Sequence, residues 1–179
     1  MVLAGTALAG IAAHADTLFP ADSLEPDRAR TRHAGDPRSG IDSVLVLKSE
    51  RKLYLIKDGQ RIREMDIALG LAPIGRKEQS GDFRTPEGRY LLDAKNPDSD
   101  YFLSIHVSYP NSDDRRHAAD RGVDPGGQIM IHGLPNEPKR DERSYTGWDW
   151  TDGCIAVSNS DMVDLWLMIG ENTPIEIRP

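Results

Sequence analysis

Short runs of apolar residues, several of them alternating with polar ones, mark the chain from residue 41 onwards. Two of these runs, 53–56 and 61–65, flank Asp58-Gly59, and an Asp-Gly pair between such runs is a strong signal for a β-hairpin with a two-residue turn. Similar runs predict further strands, at 44–47, 67–69, 90–92, 102–109, 128–131, 155–157 and 175–177. The domain is therefore predicted to be rich in β-structure.

One stretch near the C-terminus has helical spacing instead. The apolar residues of 159–169 recur at intervals that place them on one helix face, Ser158 or Asn159 can cap the N-terminus, and Gly170 follows the last turn. An apolar helix face needs a partner, so this helix is expected to pack on the sheet. The predicted fold class is α+β and β-rich, with a mixed sheet and this helix packed on it.

The first fifteen residues are small or apolar and end in Ala13-His14-Ala15, which has the small-x-small form of a secretory cleavage site. The run lacks a preceding basic region and is too short to span a bilayer. A buried N-terminal helix is the alternative, although the glycines of the run weaken it. We predict an export signal over 1–15, a flexible linker over 16–40 and one folded domain over 41–179. The protein is then periplasmic or otherwise exported to the cell envelope, and a membrane contact is expected only if the N-terminal segment is retained.

Composition narrows the classes of function. The 179 residues carry a net charge of −7 with a pI near 5.2, so no broad basic field is available to hold the phosphates of a nucleic acid. The run Asp113-Asp114-Arg115-Arg116 is predicted to be exposed, with charges that compensate each other. Only one cysteine, Cys154, is present. Because cysteines usually pair in an oxidising compartment, a lone thiol there has no role, an intermolecular partner or a chemical task.

Cys154 follows Thr151-Asp152-Gly153. A glycine directly before a thiol lets the backbone approach a substrate closely, and the backbone N–H groups of Gly153 and Cys154 can receive an oxyanion. A cysteine nucleophile needs its thiolate, and a nearby histidine can accept the thiol proton. His132 is the best candidate, because it ends an apolar run and precedes Gly133. The alternative is an inert, buried cysteine and a histidine without a catalytic part.

Asp152 has two interpretations. It lies two positions before Cys154, so in an extended stretch both side chains face the same cleft. There the carboxylate orients His132 if the two make contact, and raises the pKa of the thiol if it is unpaired. The alternative is a loop carboxylate that accepts hydrogen bonds from nearby backbone N–H groups.

Three aromatic residues, Tyr145, Trp148 and Trp150, lie in the loop before Thr151 and Cys154. Their rings, together with Thr151, can form the wall of a peptide-binding site. They can equally anchor the loop to the domain, and the sequence favours neither.

A zinc site is a further chemical alternative. Four residues could in principle supply its ligands, namely His106, His117, His132 and Cys154. Their spacing matches no compact ligand motif, so neither a metal nor another cofactor is predicted.

Several motifs resemble one enzyme family. His132-Gly133, followed after a loop by Thr151-Asp152-Gly153-Cys154, resembles the His-Gly and Ser/Thr-x-Gly-Cys signature of the L,D-transpeptidases with a YkuD catalytic domain. The segment 85–90, Thr-Pro-Glu-Gly-Arg-Tyr, is similar to the Thr-Pro-x-Gly-x-aromatic turn of the family. Three other segments resemble the branch called YafK-like, namely 81–82, 108–111 and 127–133.

This resemblance implies a YkuD-like mixed β-sandwich or barrel in which Cys154 is the nucleophile and His132 is the base. In the family the base is often oriented by a backbone carbonyl or by the residue after it, which here is Gly133. It implies peptidoglycan stem peptides as substrates, a thioester intermediate, and transfer to an amine of another stem peptide or of a wall-linked lipoprotein. Hydrolysis of peptidoglycan or lipoprotein–peptidoglycan links is the alternative, and an inactive wall-binding module is the second alternative.

Two positions depart from the family pattern. Asp152 stands where most members have His directly before Gly-Cys, and Ala156 stands where many have Arg or Asn. The departures concern donor binding and acceptor choice, and they leave Cys154 and His132 in place.

Overall fold

The computed structural model describes residues 40–145 and 147–179. The predicted export signal (1–15) and all of the predicted linker (16–40) except its last residue lie outside the described residues. The elements of the described part are, in chain order, β1 (Ser43–Leu47), β2 (Lys52–Lys57), β3 (Gln60–Asp66), β4 (Gly88–Ser99), β5 (Phe102–Val107), α1 (Ser112–Asp120), β6 (Met130–His132), a 3₁₀ helix (Glu142–Tyr145), β7 (Ile155–Ala156), α2 (Asn159–Met168) and β8 (Thr173–Arg178).

One mixed sheet holds these strands in the order β3-β2-β1-β8-β4-β5-β6-β7. Strands β2 and β3 form the hairpin predicted at Asp58-Gly59, with Lys57 opposite Gln60. Strand β1 is parallel to β8 and β6 is parallel to β7, whereas the other neighbours are antiparallel. The predicted β-rich α+β fold with a mixed sheet is confirmed.

The two edges of this sheet meet. The chain leaving edge strand β3 runs along the opposite edge strand β7, where Ala68 and Ala156 exchange two backbone hydrogen bonds of 2.9 Å. Gly70 forms a further bridge to Thr151. The sheet is therefore curled into a half-barrel. The predicted strand at 67–69 is present only as these isolated bridges, because β7 offers it an edge of just two residues.

Helix α2 packs on the sheet, as predicted for 159–169. Its residues Met162 and Leu165 are fully buried in the same apolar cluster as Ile131 of β6. The side chain of Ser158 caps the helix by accepting a backbone N–H of the first turn at 3.0 Å. The strand that α2 contacts is β5, the neighbour of the strand that ends at the candidate base.

Helix α1 differs from the prediction for this stretch, in which 113–116 is an exposed charge run. Asp114 is buried and accepts hydrogen bonds from Tyr90 Oη at 3.0 Å and from Arg76 at 2.8 Å. Its carboxylate also completes a capping box with Asn111. The prediction of exposure is therefore wrong for Asp114. Several hydrogen bonds offset the cost of burying its charge, and the low apolar content of α1 hides it from periodicity analysis.

Candidate active site

His132 and Cys154 face the same side of the sheet. The parallel strands β6 and β7 place Ile131 opposite Ile155 and His132 opposite Ala156. Both isoleucines are fully buried in the core, and successive residues of a strand point to opposite faces. His132 and Cys154 therefore project from the other face, and both line one cavity of about 510 Å³.

The imidazole of His132 is held in one orientation. Its Nδ1 lies 2.7 Å from the carbonyl oxygen of Gly133, and a carbonyl can only accept, so Nδ1 carries the proton. Burial lowers the pKa of His132 to about 4, against the smaller raising effect of the Gly133 bond. At neutral pH the ring is therefore neutral, and Nε2 is its basic nitrogen.

The thiol of Cys154 is also neutral at rest. Burial raises its pKa, a hydrogen bond from the backbone of Met130 opposes this, and the nearby charge of Asp152 raises the pKa further. The Sγ atom lies 3.6 Å from the carbonyl oxygen of Gln128, which fits a weak S–H donor. The site therefore combines a neutral thiol with a neutral imidazole, and reaction requires a proton transfer between them.

Thr151 shapes the loop before the thiol. Its hydroxyl donates to the carbonyl oxygen of Cys154 at 2.8 Å and accepts the N–H of Gly153 at 3.1 Å. The Gly153 N–H is thus already bonded, which differs from the prediction that it is open to an oxyanion. Within the described residues the Cys154 N–H donates to no protein acceptor.

Gly153 is packed directly against another backbone segment. Its φ is +130°, and a Cβ atom there would lie 2.7 Å from the carbonyl oxygen of Arg84. The neighbouring Gly70 is packed even more tightly. A Cβ atom on Gly70 would lie 2.1 Å from the carbonyl oxygen of Phe83 and 3.0 Å from Cα of Gly153. Only glycine fits these positions, and the segment 83–85 acts as a support for the nucleophile loop.

That support is fixed by Thr85 and Lys48. The Thr85 hydroxyl accepts the N–H of Gly70 at 3.0 Å. The buried Nζ of Lys48 donates to the Thr85 carbonyl at 2.9 Å, to the Gly75 carbonyl at 2.7 Å and to Glu87 Oε1 at 2.8 Å. The turn noted at 85–90 thus has a physical role. Lys48 was not identifiable from the sequence, because a single lysine after an apolar run usually faces solvent.

Aromatic rings form one wall of the cavity. The ring of Trp150 lies 5.7 Å from that of His132 and 5.1 Å from that of Tyr145, measured between centroids. Tyr145 lines an adjoining cavity of about 570 Å³, to which Trp150 also belongs. Trp148 lines neither of these two cavities. It is exposed and borders a separate cavity beside Arg51.

The rim of the cavity is acidic. The residues that line the cavity include the carboxylates Asp98, Asp100 and Asp152 and, within the described residues, no lysine or arginine. Asp152 is exposed at this rim. The orienting bond to the His132 ring comes from Gly133 instead, as the family resemblance allows.

Sequence reasoning missed the part of the cavity that comes from the β4–β5 hairpin. Its contributions are Asn96, Asp98, Ser99, Asp100, Tyr101 and Ser104. The hairpin is longer than the predicted strands at 90–92 and 102–109, because β4 continues through polar residues to Ser99. A polar edge of this kind gives little signal in an apolar pattern.

Two other histidines belong to the described residues, His106 and His117, and both lie apart from the cavity. His106 Nδ1 bonds Asp93 at 2.6 Å, and His117 Nε2 lies 3.9 Å from Glu78. Residues 40–145 and 147–179 contain no group of three or more His, Cys, Asp or Glu side chains placed to hold a metal. Over the same residues, neither helix has the length and apolar character needed to cross a membrane.

A family model described as the L,D-transpeptidase catalytic domain, YkuD, matches residues 41–177. The Escherichia coli K12 protein YafK, whose own assignment as an L,D-transpeptidase is provisional, is 34% identical over 96 residues, covering 50% of this chain and 37% of YafK.

Two solved structures have a similar fold. Pgp2 of Campylobacter jejuni, a helical cell shape determining protein, matches with 28% identity and a TM-score of 0.57, over 81% of this chain and 52% of Pgp2. Bd1075 of Bdellovibrio bacteriovorus matches with 28% identity and a TM-score of 0.55, over 78% of this chain and 48% of its own. The chain spans about half the length of these two proteins and little more than a third of YafK.

Proposed function

Since the chain belongs to the L,D-transpeptidase catalytic-domain (YkuD) family, we propose that it is a cysteine acyltransferase acting on peptidoglycan stem peptides in the cell envelope. The observation that carries the proposal is the placement of His132 and Cys154 on one face of adjacent parallel strands, at the wall of one cavity. Acyl transfer needs a nucleophile and a base that reach the same bound substrate.

In the first half-reaction, Nε2 of His132 takes the proton of the Cys154 thiol as the sulfur attacks the carbonyl carbon of an L,D-peptide bond. The C–N bond then breaks, the leaving amine takes the proton from the imidazolium, and the stem peptide remains as a thioester on Cys154. The neutral resting forms of both groups suit this order, because the charges form only when substrate is present.

The oxyanion of the tetrahedral intermediate needs a donor. The Cys154 N–H has no acceptor within the described residues, whereas the N–H of Gly153 is bonded to Thr151. We assign the oxyanion to the Cys154 N–H. A fixed backbone donor of this kind stabilises developing negative charge without reorganisation.

In the second half-reaction, an amine of an acceptor stem peptide attacks the thioester and loses a proton to His132. An amide bond forms, and the thiol of Cys154 is restored. Transfer to a lysine amine of a wall-linked lipoprotein is the same chemistry with another acceptor. Trp150, Tyr145 and Thr151 are the residues we assign to substrate contact, on the basis of their places at the two adjoining cavities.

Hydrolysis of the thioester is the second candidate, and Asp152 favours it. This carboxylate is exposed at the cavity that Cys154 lines, and a carboxylate can orient a water molecule for attack. With water as the acceptor, the same enzyme would cut peptidoglycan cross-links or lipoprotein links. The similarity to Pgp2 supports a role for either reaction in cell shape.

The test is mass analysis of purified muropeptides, both monomeric tetrapeptides and cross-linked dimers, after incubation with the protein. The variants are Cys154→Ala and, as a matched control, His106→Ala, since His106 lies outside the cavity on a pair with Asp93. New dimers that depend on Cys154 establish a transpeptidase, and loss of dimers that depends on Cys154 establishes a hydrolase.

The control should behave as the unaltered protein. If the unaltered protein and Cys154→Ala give the same muropeptides, the acyltransferase proposal fails for these substrates. Sedimentation of both proteins with intact peptidoglycan then tests a wall-binding module, which predicts equal binding by the two.

A further inference from the structure

The turn between β4 and β5 covers the candidate base. The ring of Tyr101, at the tip of this hairpin, lies 4.5 Å from that of His132 with an interplanar angle of 42°. His132 is only 4% exposed, whereas Tyr101 is 39% exposed. With Trp150 at 5.7 Å from His132 and 6.1 Å from Tyr101, two neighbouring aromatic rings contact the imidazole, and Tyr101 is the more exposed of the two.

Asn136 fastens this turn to the segment that follows His132. Its Oδ1 accepts the N–H of Phe102 at 2.8 Å, its Nδ2 donates to the Ser99 carbonyl at 2.9 Å, and its N–H donates to the Asp100 carbonyl at 2.9 Å. Asn136 thus binds three residues of the turn through its side chain and its backbone N–H.

Two further features fix the turn. The N–H of Gly133 donates to the carbonyl oxygen of Tyr101 at 3.1 Å, which ties Tyr101 to the residue that orients the imidazole. Phe102 has a φ of +66°, an unfavourable conformation for an aromatic residue that persists where surrounding bonds determine it. The position of Tyr101 over His132 is therefore set by several bonds and does not depend on its own side chain alone.

We propose that Tyr101 is a positioning residue for the base, whose ring, held in place through Asn136, shields the imidazole of His132 from water and restricts its rotation. The inference rests on the proposed function, because positioning matters only if His132 accepts the Cys154 proton. The ring closes the face of the imidazole that would otherwise meet solvent, and the Gly133 bond fixes its plane. Nε2 of His132 then stays unprotonated and keeps one orientation in the cavity.

The charged groups at the same cavity are the carboxylates of Asp98, Asp100 and Asp152. Removing the Tyr101 ring would admit water and expose the imidazole to these negative charges. Both changes favour the charged imidazolium. Loss of Tyr101 therefore has a signature in the titration of His132, which a residue that serves only stability would not produce.

The experiment is an NMR titration of the His132 ring in the full chain, with four variants. Tyr101→Ala and Tyr101→Leu remove the aromatic ring, Tyr101→Phe keeps it, and Asn136→Ala releases the turn. We expect the His132 pKa to rise from about 4 by roughly one pH unit or more in both ring-removing variants. It should stay unchanged in Tyr101→Phe and rise by a smaller amount in Asn136→Ala.

The same proteins are assayed for the pH dependence of Cys154 alkylation, whose profile should move with the His132 pKa. Unchanged titration and alkylation profiles in both Tyr101→Ala and Tyr101→Leu would overturn the inference, as would a shift in Tyr101→Phe equal to theirs. Neither readout needs a substrate. If the titration shifts as expected while the unaltered protein and Cys154→Ala give the same muropeptides, that outcome contradicts the proposed function and leaves the shielding of His132 by Tyr101 standing.

Discussion

The buried ammonium group of Lys48 donates a hydrogen bond of 2.9 Å to the carbonyl oxygen of Thr85, and the Thr85 hydroxyl in turn holds the N–H of Gly70. Since Gly70 and Gly153 are in backbone contact, a side chain at the end of β1 supports the loop of the candidate nucleophile from behind. This connection leads to the first prediction.

Lys48→Met is expected to lower the free energy of unfolding by about 3 kcal/mol, because it leaves a largely buried carboxylate and two carbonyls without their donor. Urea denaturation measures the change. Lys52→Met is the control, since Lys52 bridges the more exposed Glu64 and Asp66, and exposed ion pairs contribute little to stability. Equal effects of the two substitutions would contradict the supporting role of Lys48.

Gly153→Ala should distort the nucleophile loop. The added Cβ would lie 2.7 Å from a backbone oxygen at a φ of +130°, a conformation that costs about 1–3 kcal/mol for other residues. We expect the free energy of unfolding to fall by about 2 kcal/mol, together with loss of Cys154-dependent activity. The control is Gly127→Ala, because a Cβ there meets nothing within 4 Å. If Gly153→Ala is as active as Gly127→Ala, the close packing is not required.

The pKa of His132 makes stability depend on pH. The folded-state pKa of about 4 lies below the ordinary value of about 6.5, so the unfolded chain binds more protons between these values. Stability therefore rises with pH through this window, and up to about 3 kcal/mol is lost as pH falls from 6.5 to 4. Urea denaturation at pH 7 and pH 4 measures the difference in the free energy of unfolding between the two pH values. The part of this difference that comes from His132 should be absent in His132→Gln and present in His106→Gln. Identical pH dependence in all three proteins would count against a buried neutral His132.

Alkylation of Cys154 by iodoacetamide at pH 8 should be slower than that of free cysteine, because burial raises the pKa of the thiol. The charge of Asp152 acts in the same direction, so Asp152→Asn should increase the rate by roughly two- to threefold. Asp98→Asn, which removes another carboxylate of the cavity, should change it less. If Asp152→Asn reacts no faster than Asp98→Asn, the carboxylate does not act on the thiol.

The sequence was informative where local chemistry determines structure. The Asp58-Gly59 turn fixed the first hairpin, Ser158 marked the start of α2, and the single cysteine with its preceding glycine marked the candidate site. All of these signals are contained within a few neighbouring residues, so they can be read without knowledge of the fold.

The rest depends on pairings between distant segments. No local pattern indicates that the chain after β3 meets β7 at Ala68 and Ala156. The same holds for the polar end of β4, which carries Tyr101 to His132, and for the hydrogen bonds that make burial of Asp114 possible. The hydrogen bond that the Gly153 N–H donates to the Thr151 hydroxyl could not be predicted for a related reason, since it depends on the conformation of the loop.

The central claim, that His132 activates Cys154 as a nucleophile, is tested most directly by intact-mass analysis after incubation with a carbapenem. We predict one covalent adduct on Cys154, absent in Cys154→Ala, formed about a hundredfold more slowly in His132→Ala and at the normal rate in His106→Ala. An unaltered protein that forms no adduct, or an adduct that forms equally fast in His132→Ala, would contradict this account.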